Sequence, residues 1–202
     1  MSFSDYSINE FMTELASDSA TPGGGSVAGL CGSLSASLVA MVIRLTKDAD
    51  LTENAAKLEE LQAEALELID EDSESFDQVM KAFKLPKDTE EEKKERSKAI
   101  QKALKGAAIT PLKTMELGLK LLKIASKVVK EGNENAVSDV GVAGLLALDA
   151  VKSGRYNVLI NAESLTDEVS ANELKEKSQQ ILEESEELAA KIEDVVEDRI
   201  MG

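Results

Sequence analysis

Thr21-Pro22-Gly23-Gly24-Gly25-Ser26, with the run Val27 to Ile43 behind it, is the stretch whose reading decides the fold. No charged residue occurs from Ser19 to Ile43, in a chain where 31% of residues are charged. One Pro and three consecutive Gly predict a backbone corner that few other residues can adopt. Ser26 then reads as a helix N-cap, its hydroxyl accepting from an orphan N–H of the first turn. The helix that follows, about 26–46, carries small residues at Gly29, Ser33, Ala36 and Ala40. A second strip holds Leu30, Leu34, Leu38, Met41 and Leu45. Apolar or small on every side, it reads as a helix surrounded by others. It is also long enough to cross a bilayer. Ser33, Ser35, Ser37, Gly29 and Gly32 argue against insertion, and neither a basic flank nor a second span accompanies it. A buried central helix is the better reading.

Outward from this helix the pattern stays helical. Ile8 to Ala16 predicts a short amphipathic helix with Ile8, Phe11, Met12 and Leu15 on one stripe. From Thr52 to about Lys84, Leu58, Leu61, Ala65, Leu68, Ile69, Phe76, Val79, Met80 and Phe83 recur at intervals of three and four. Met41 and Met80 read as core. Leu85-Pro86 stops that helix, and Asp88-Thr89-Glu90-Glu91-Glu92 starts the next with a cap and an acidic first turn. This helix passes Ile100, Ala103, Leu104 and Ala107, is expected to kink at Pro111, and ends before Glu131-Gly132-Asn133. A further small-residue helix spans about Asn135 to Val151, broken at Ser153-Gly154. Tyr156 to Leu165 is a short apolar segment, helical or extended. From Thr166 a long acidic helix repeats apolar residues near every seventh position, a spacing suited to a bundle or a partner chain. The expectation is one all-α domain over 1–202: an up-and-down bundle of long helices around the buried central one, with a long C-terminal helix.

Composition narrows the function. The net charge of −16 repels phosphate backbones and anionic lipid, which argues against nucleic-acid and membrane partners. His is absent and Cys31 is the single Cys. The usual structural zinc sites are thereby excluded, no metal is expected, and acid–base work falls to Asp, Glu, Lys, Tyr or Cys31. Cys31, in a buried helix, reads as a small core residue. The N-terminal residues lack a signal-peptide pattern, so the cytoplasm is the expected compartment.

Several positions invite a functional reading beside a structural one. Gly23, Gly24, Gly25 and Ser26 lie ahead of a helix N-terminus, where free N–H groups favour an anion or a carbonyl oxygen; alternatively they form only a tight corner. Asp139 shares a helix face with Asn135 and adjoins Ser138. In that apolar helix its carboxyl would be desolvated and raised in pKa, as acid–base catalysis needs. Otherwise it complements the helix dipole; Asp149 is the second choice. Asn157 and Asn161, four apart in an apolar segment, either hydrogen-bond a polar ring or cap helix ends. Arg44 and Lys47 close the central helix and are candidate anchors for an anionic group; Lys84 and Arg96 are weaker ones. The other lysines between Lys81 and Lys105 read as a solvated face.

Three stretches carry a resemblance. Thr21-Pro22-Gly23-Gly24-Gly25-Ser26-Val27-Ala28-Gly29-Leu30 with Met41-Val42-Ile43-Arg44-Leu45-Thr46 is the first. Ala82-Phe83-Lys84-Leu85-Pro86 with Arg96 is the second. Asn135 to Ala143, then Asn157-Val158-Leu159-Ile160-Asn161 and Asp167, is the third. Together they resemble the cyclodeaminase/cyclohydrolase family, which includes the C-terminal half of formiminotransferase-cyclodeaminase and bacterial methenyltetrahydrofolate cyclohydrolases. The resemblance implies an all-helical folate enzyme, a homodimer or larger, with its site near a subunit interface. One family reaction converts 5-formiminotetrahydrofolate to 5,10-methenyltetrahydrofolate and ammonia; the other hydrolyses the methenyl compound to 10-formyltetrahydrofolate. It implies further that the folate is substrate, with no bound cofactor. Asp139 and Asn135 would then be catalytic, while the Gly corner, Ser138, Asn157, Asn161, Arg44 and Lys47 bind the folate. Lys47-Asp48-Ala49-Asp50 departs from the Gly, lysines and aromatic residue that family members often carry after the Leu-Thr. That departure motivates the alternative of a non-catalytic helical folate-binding or scaffold homologue.

Overall fold

The computed structural model describes residues 2–47 and 51–202. Asp48, Ala49 and Asp50, the altered segment after Lys47, lie outside the described residues. The fold is the expected all-α bundle: α1 (Ile8–Leu15), α2 (Gly24–Leu45), α3 (Thr52–Phe83), α4 (Glu90–Glu131), α5 (Val137–Glu163) and α6 (Glu168–Met201). Consecutive long helices run antiparallel, and α2 lies at the centre against α3, α4 and α5.

The small strip of α2 explains how three helices can crowd it. A Cβ at Gly29 would stand 3.1 Å from the Ala65 carbonyl oxygen of α3, and one at Gly32 would stand 2.9 Å from Leu117 of α4. Ser35 turns its hydroxyl to α5 and donates to the Ala143 carbonyl at 2.8 Å. These contacts bury Ala28, Ala36, Val39 and Val42 completely. Although α2 is apolar and long enough to span a membrane, it is the core helix of the bundle. α6 lays Ile181 and Ile192 on the same bundle, so its seven-residue spacing reflects packing against its own chain.

Several local expectations are corrected. α5 continues unbroken through Ser153-Gly154, because Gly154 fits against the Pro111 carbonyl, where a Cβ would approach to 2.9 Å. Met41 and Met80 are partly exposed, and on α1 only Phe11 is buried while Ile8 and Met12 face outward. The strip Leu30 to Leu45 is the outer face of α2, with Leu34 and Leu45 about half exposed. The α2 core face is made of the small residues with Val39, Val42 and Ile43, which leaves Leu34, Met41 and Leu45 on the other side.

α2 has 22 residues, whereas α3 has 32 and α4 has 42. The α3–α4 hairpin therefore overhangs the N-terminal end of α2. It carries its own small core of Val79, Ala82, Ile100, Leu104 and Ala107. Thr89 and Glu92 form a capping box at the start of α4. Arg96 donates from Nε and Nη2 to the Phe83 carbonyl at 3.2 and 3.1 Å and stacks over the Phe83 ring.

Two glycine substitutions on α4 separate close approach from open surface. At Gly118 a Cβ would stand 2.8 Å from the Ala147 backbone oxygen; at Gly106 it would meet nothing within 4 Å. Urea unfolding of Gly118→Ala is expected to show a loss of about 1–3 kcal/mol from overpacking. Gly106→Ala should gain about 1 kcal/mol from helix propensity.

Candidate active site

Where the hairpin overhangs α2, four elements enclose a cavity of about 210 Å³. The glycine corner supplies Thr21 and Gly23 to Gly25, α3 supplies Asp72, Ser75, Phe76 and Val79, α4 supplies Ala107, and α5 supplies Asn157 and Asn161. The Thr21–Pro22 peptide is cis.

None of Gly23, Gly24 and Gly25 has positive φ, so the glycines serve close approach more than an unusual turn. A Cβ on Gly25 would overlap the Asp72 carboxylate. The first helical bond of α2 runs from the Val27 N–H to the Gly23 carbonyl, leaving the Gly24, Gly25 and Ser26 N–H groups as its orphan donors. Ser26 does not cap its own helix. It is fully buried, and its Oγ donates to the Ile69 carbonyl at 3.0 Å and lies 3.3 Å from Asp72 Oδ2. Asp72, reaching across from α3, brings a carboxylate to this N-terminus. Burial pushes its carboxyl above the ordinary value of 3.8, and hydrogen bonds from the Ser26 hydroxyl and backbone N–H only partly offset that. The cavity thus holds a carboxyl that retains a proton to higher pH than usual.

Asn161 is held here by a proline. Pro111 lies inside α4 and has no N–H, so the Ala107 carbonyl four residues earlier loses its helical donor. Asn161 Nδ2 donates to that carbonyl at 3.1 Å and also to the Asn157 carbonyl at 2.9 Å. Asn157 Nδ2 donates to the Ser153 carbonyl at 2.9 Å. With the nitrogens occupied, both amide oxygens lack a protein donor among the described residues and remain available to an N–H of a ligand.

Arg44, Lys47, Asn135, Ser138 and Asp139 lie at the other end of the bundle, about 30 Å away by the rise of α2 between Gly24 and Arg44. Lys84 and Arg96 sit at the turn of the α3–α4 hairpin. Arg44 pairs with Glu59 at 3.0 Å on the surface. Lys47 and Asn135 line a second hollow of about 520 Å³, beside Thr46 and Asn133. There the Asn133 N–H donates to Thr46 Oγ1, and its Nδ2 donates to the Leu45 carbonyl, both at 3.0 Å. Asn135 belongs to a short 3₁₀ turn, Glu134–Ala136, and Asp139 to the first turn of α5. Ser138 borders a groove between α5 and α6. Within one chain the structure gathers Gly23, Gly24, Gly25, Asn157 and Asn161 around one cavity, with Ser26 just behind it. Arg44, Lys47, Asn135, Ser138 and Asp139 are elsewhere.

Asp72 is the residue that the sequence reading passed over. Its signal was present: on α3 the apolar run Leu68-Ile69 is followed by Asp72 and Ser73 at intervals of three and four, and Ser73 is buried beside it. A carboxylate there turns to the glycine corner and Ser26, whereas Glu71 pairs with Lys113 and Glu74 is exposed.

A raised carboxyl pKa fixes the sign of its effect on stability. Asp72 costs nothing below its ordinary value of 3.8 and destabilises the fold as rising pH ionises the unfolded chain more readily than the native one. Asp72→Asn is therefore expected to melt higher than wild type at pH 7, with the gap closing towards pH 3. A constant gap across that range would remove the desolvated carboxyl from the account.

Comparison with known proteins agrees over nearly the whole chain. The family profile described as formiminotransferase-cyclodeaminase matches residues 7–197. Methenyltetrahydrofolate cyclohydrolase of Methylorubrum extorquens is 37% identical over 201 residues, covering 96% of this chain and 97% of that one. Formimidoyltransferase-cyclodeaminase of Rattus norvegicus is 32% identical over 92% of this chain, which spans 36% of that longer protein. A crystal structure of formiminotetrahydrofolate cyclodeaminase from Thermotoga maritima superposes with a TM-score of 0.85 at 26% identity, covering 97% of this chain and 98% of that one. The cavity at the glycine corner thus belongs to a chain that is, over residues 7–197, a member of the formiminotransferase-cyclodeaminase family.

Proposed function

We propose that this protein is a soluble, cytoplasmic folate enzyme of one-carbon metabolism. It acts on 5-formimino- or 5,10-methenyltetrahydrofolate as substrate, without a bound cofactor, at the cavity between α2, α3 and α5. The observation that carries the reading is Asp72: a desolvated carboxyl beside a helix N-terminus and two asparagines, in a chain resembling a cyclohydrolase from end to end.

Both family reactions need one group that takes up and returns a proton. In hydrolysis, water adds to the carbon bridging N5 and N10. Asp72 accepts the first water proton and returns it to N5 as the C–N5 bond breaks, while the hydroxyl left on the carbon releases its own proton to solvent, which leaves a formyl group on N10. In cyclodeamination, N10 adds to the carbon of the protonated formimino group, and Asp72 carries the N10 proton to its nitrogen, which departs as ammonia and leaves the methenyl cation. A carboxyl whose pKa is raised by desolvation suits this exchange better than an exposed one, in a chain without His. The Gly24 and Gly25 N–H groups face a carbonyl or an anion, and the Asn157 and Asn161 amide oxygens accept from ring N–H groups of the pterin.

Asp139, Asn135, Arg44 and Lys47 reach this cavity only from a second copy. The outer face of α2 offers a seam for one: Leu34, Met41 and Leu45 are 46%, 36% and 50% exposed. Two copies joined along α2 about a two-fold axis across the helix would set the glycine corner of one near the Arg44 end of the other. That arrangement is a homodimer with its site near the subunit interface.

Supplying each folate separately and following the methenyl absorbance tests the activity. Wild type should form or consume the methenyl compound, and Asp72→Asn should be slower by about 10²–10⁴-fold. Wild-type rates in that variant would remove Asp72 from the chemistry, and a wild type that binds folate without turnover would favour the non-catalytic alternative. Sedimentation of Leu34→Glu should show monomers where wild type shows dimers; undiminished dimers would place the interface elsewhere.

A further inference from the structure

Ser26 has one hydroxyl proton and three oxygens within its reach. Its Oγ lies 3.0 Å from the Ile69 carbonyl, 3.3 Å from Asp72 Oδ2 and 3.2 Å from Ser73 Oγ. Ser26 is fully buried and Ser73 is 7% exposed, so both hydroxyls are shielded from solvent. Among the described residues the Ser73 hydroxyl has Ser26 as its one hydrogen-bond partner. A hydroxyl donates once and accepts twice, which sets the order of the chain. Ser73 donates to Ser26, and Ser26 keeps its own proton for one of two acceptors, the Ile69 carbonyl or the Asp72 carboxyl group.

The state of Asp72 decides between them. A hydrogen bond to an ionised group is roughly twice as strong as one between neutral groups. An ionised carboxylate therefore draws the Ser26 proton, and a protonated one leaves it on the nearer carbonyl. No other charge competes. The cavity lining from the glycine corner, α4 and α5 holds no titratable side chain, and Asp72 is the one that α3 contributes. Along α3, Asp70 accepts from the Phe3 N–H at 2.7 Å, and Glu71 pairs with Lys113 at 2.8 Å. The backbone N–H of Ser26 also donates to the Asp72 carboxylate, which keeps that group in place while the hydroxyl turns.

We infer that Ser26 is a positioning residue whose hydroxyl swings between the Ile69 carbonyl and Asp72 as that carboxyl loses and regains its proton, with Ser73 holding the Ser26 oxygen from behind. This rests on the reading of Asp72 as the proton carrier of the folate reaction. A group that takes up a proton and returns it needs surroundings fitted to both of its charge states. A fixed donor fits the carboxylate alone. A rotating one fits both states and moves no heavy atom, so the site pays little reorganisation during the reaction.

The test follows the ¹³C signals of the Asp72 carboxyl and the Ile69 carbonyl through one pH titration without substrate. The Ile69 signal should move with the Asp72 titration, and that movement should be lost in Asp72→Asn and in Ser26→Ala. Ser26→Ala removes the hydroxyl and keeps the backbone N–H, so Asp72 should titrate at higher pH than in wild type. Ser73→Ala, whose lost hydroxyl met only Ser26, should shift Asp72 the same way by less. The double variant should match Ser26→Ala alone, because Ser73 acts through Ser26. In turnover of methenyltetrahydrofolate, the acidic limb of the kcat/KM profile should move to higher pH in the same order. An Ile69 carbonyl indifferent to Asp72, or a double variant whose shift is the sum of the single ones, would overturn the switch. An Ile69 signal that follows Asp72 in a wild type that turns over neither folate would instead sink the enzymatic reading and leave the switch standing.

Discussion

The approach of α3 to the first turn of α2 is the constraint on which the site depends. Because Gly25 has no side chain, the Asp72 carboxylate reaches the N-terminus of a buried helix; because Gly29 has none, the α3 backbone follows it in. Two consequences come from one geometry. The small strip lets α2 become the centre of the bundle, and the same closeness holds a carboxyl away from water beside backbone donors. Desolvation raises its pKa while the Ser26 groups limit the rise, so this carboxyl keeps its proton to higher pH than an exposed aspartate does.

The site is also a place where local helix rules are broken and then answered. Pro111 would be expected to cost α4 a hydrogen bond and a kink. Asn161 from α5 supplies the donor that the Ala107 carbonyl lacks, and in doing so it commits its nitrogen and leaves its oxygen to the cavity. Asp72 likewise stabilises an N-terminus that Gly23, with no side chain, cannot cap. In both cases a residue on a neighbouring helix satisfies a backbone group left open by the sequence, and the pairing fixes the direction in which the functional atom points.

Much of this was legible in the residues. Helix periodicity, the Thr89 capping box and the charge-free run predicted the bundle and its central helix, because burial leaves a strong periodic mark. The glycine corner with Asn157 and Asn161 was legible as a possible site, and the structure brings those residues around one cavity. Two things were hidden. Asp72 lay within the acidic run Asp70 to Glu74, where its helical spacing from Leu68 and Ile69 was masked by charged neighbours. Asp139 drew attention because its helix is apolar, but apolarity does not say which end of a bundle a residue occupies. The strip Leu30 to Leu45 looked like core for a similar reason: the face of α2 that packs carries glycine, alanine and serine with Val39, Val42 and Ile43, and the opposite leucine strip is left partly outside.

As a proton carrier for the cavity, Asp72 is proposed on the strength of its desolvated carboxyl. A ¹³C NMR titration of carboxyl-labelled aspartates, with Asp72→Asn to assign the signal, reads it directly. The account predicts one aspartate titrating above the ordinary 3.8, with a signal that moves when a tetrahydrofolate is added. An Asp72 signal titrating at or below that value, and indifferent to the folate, would contradict it.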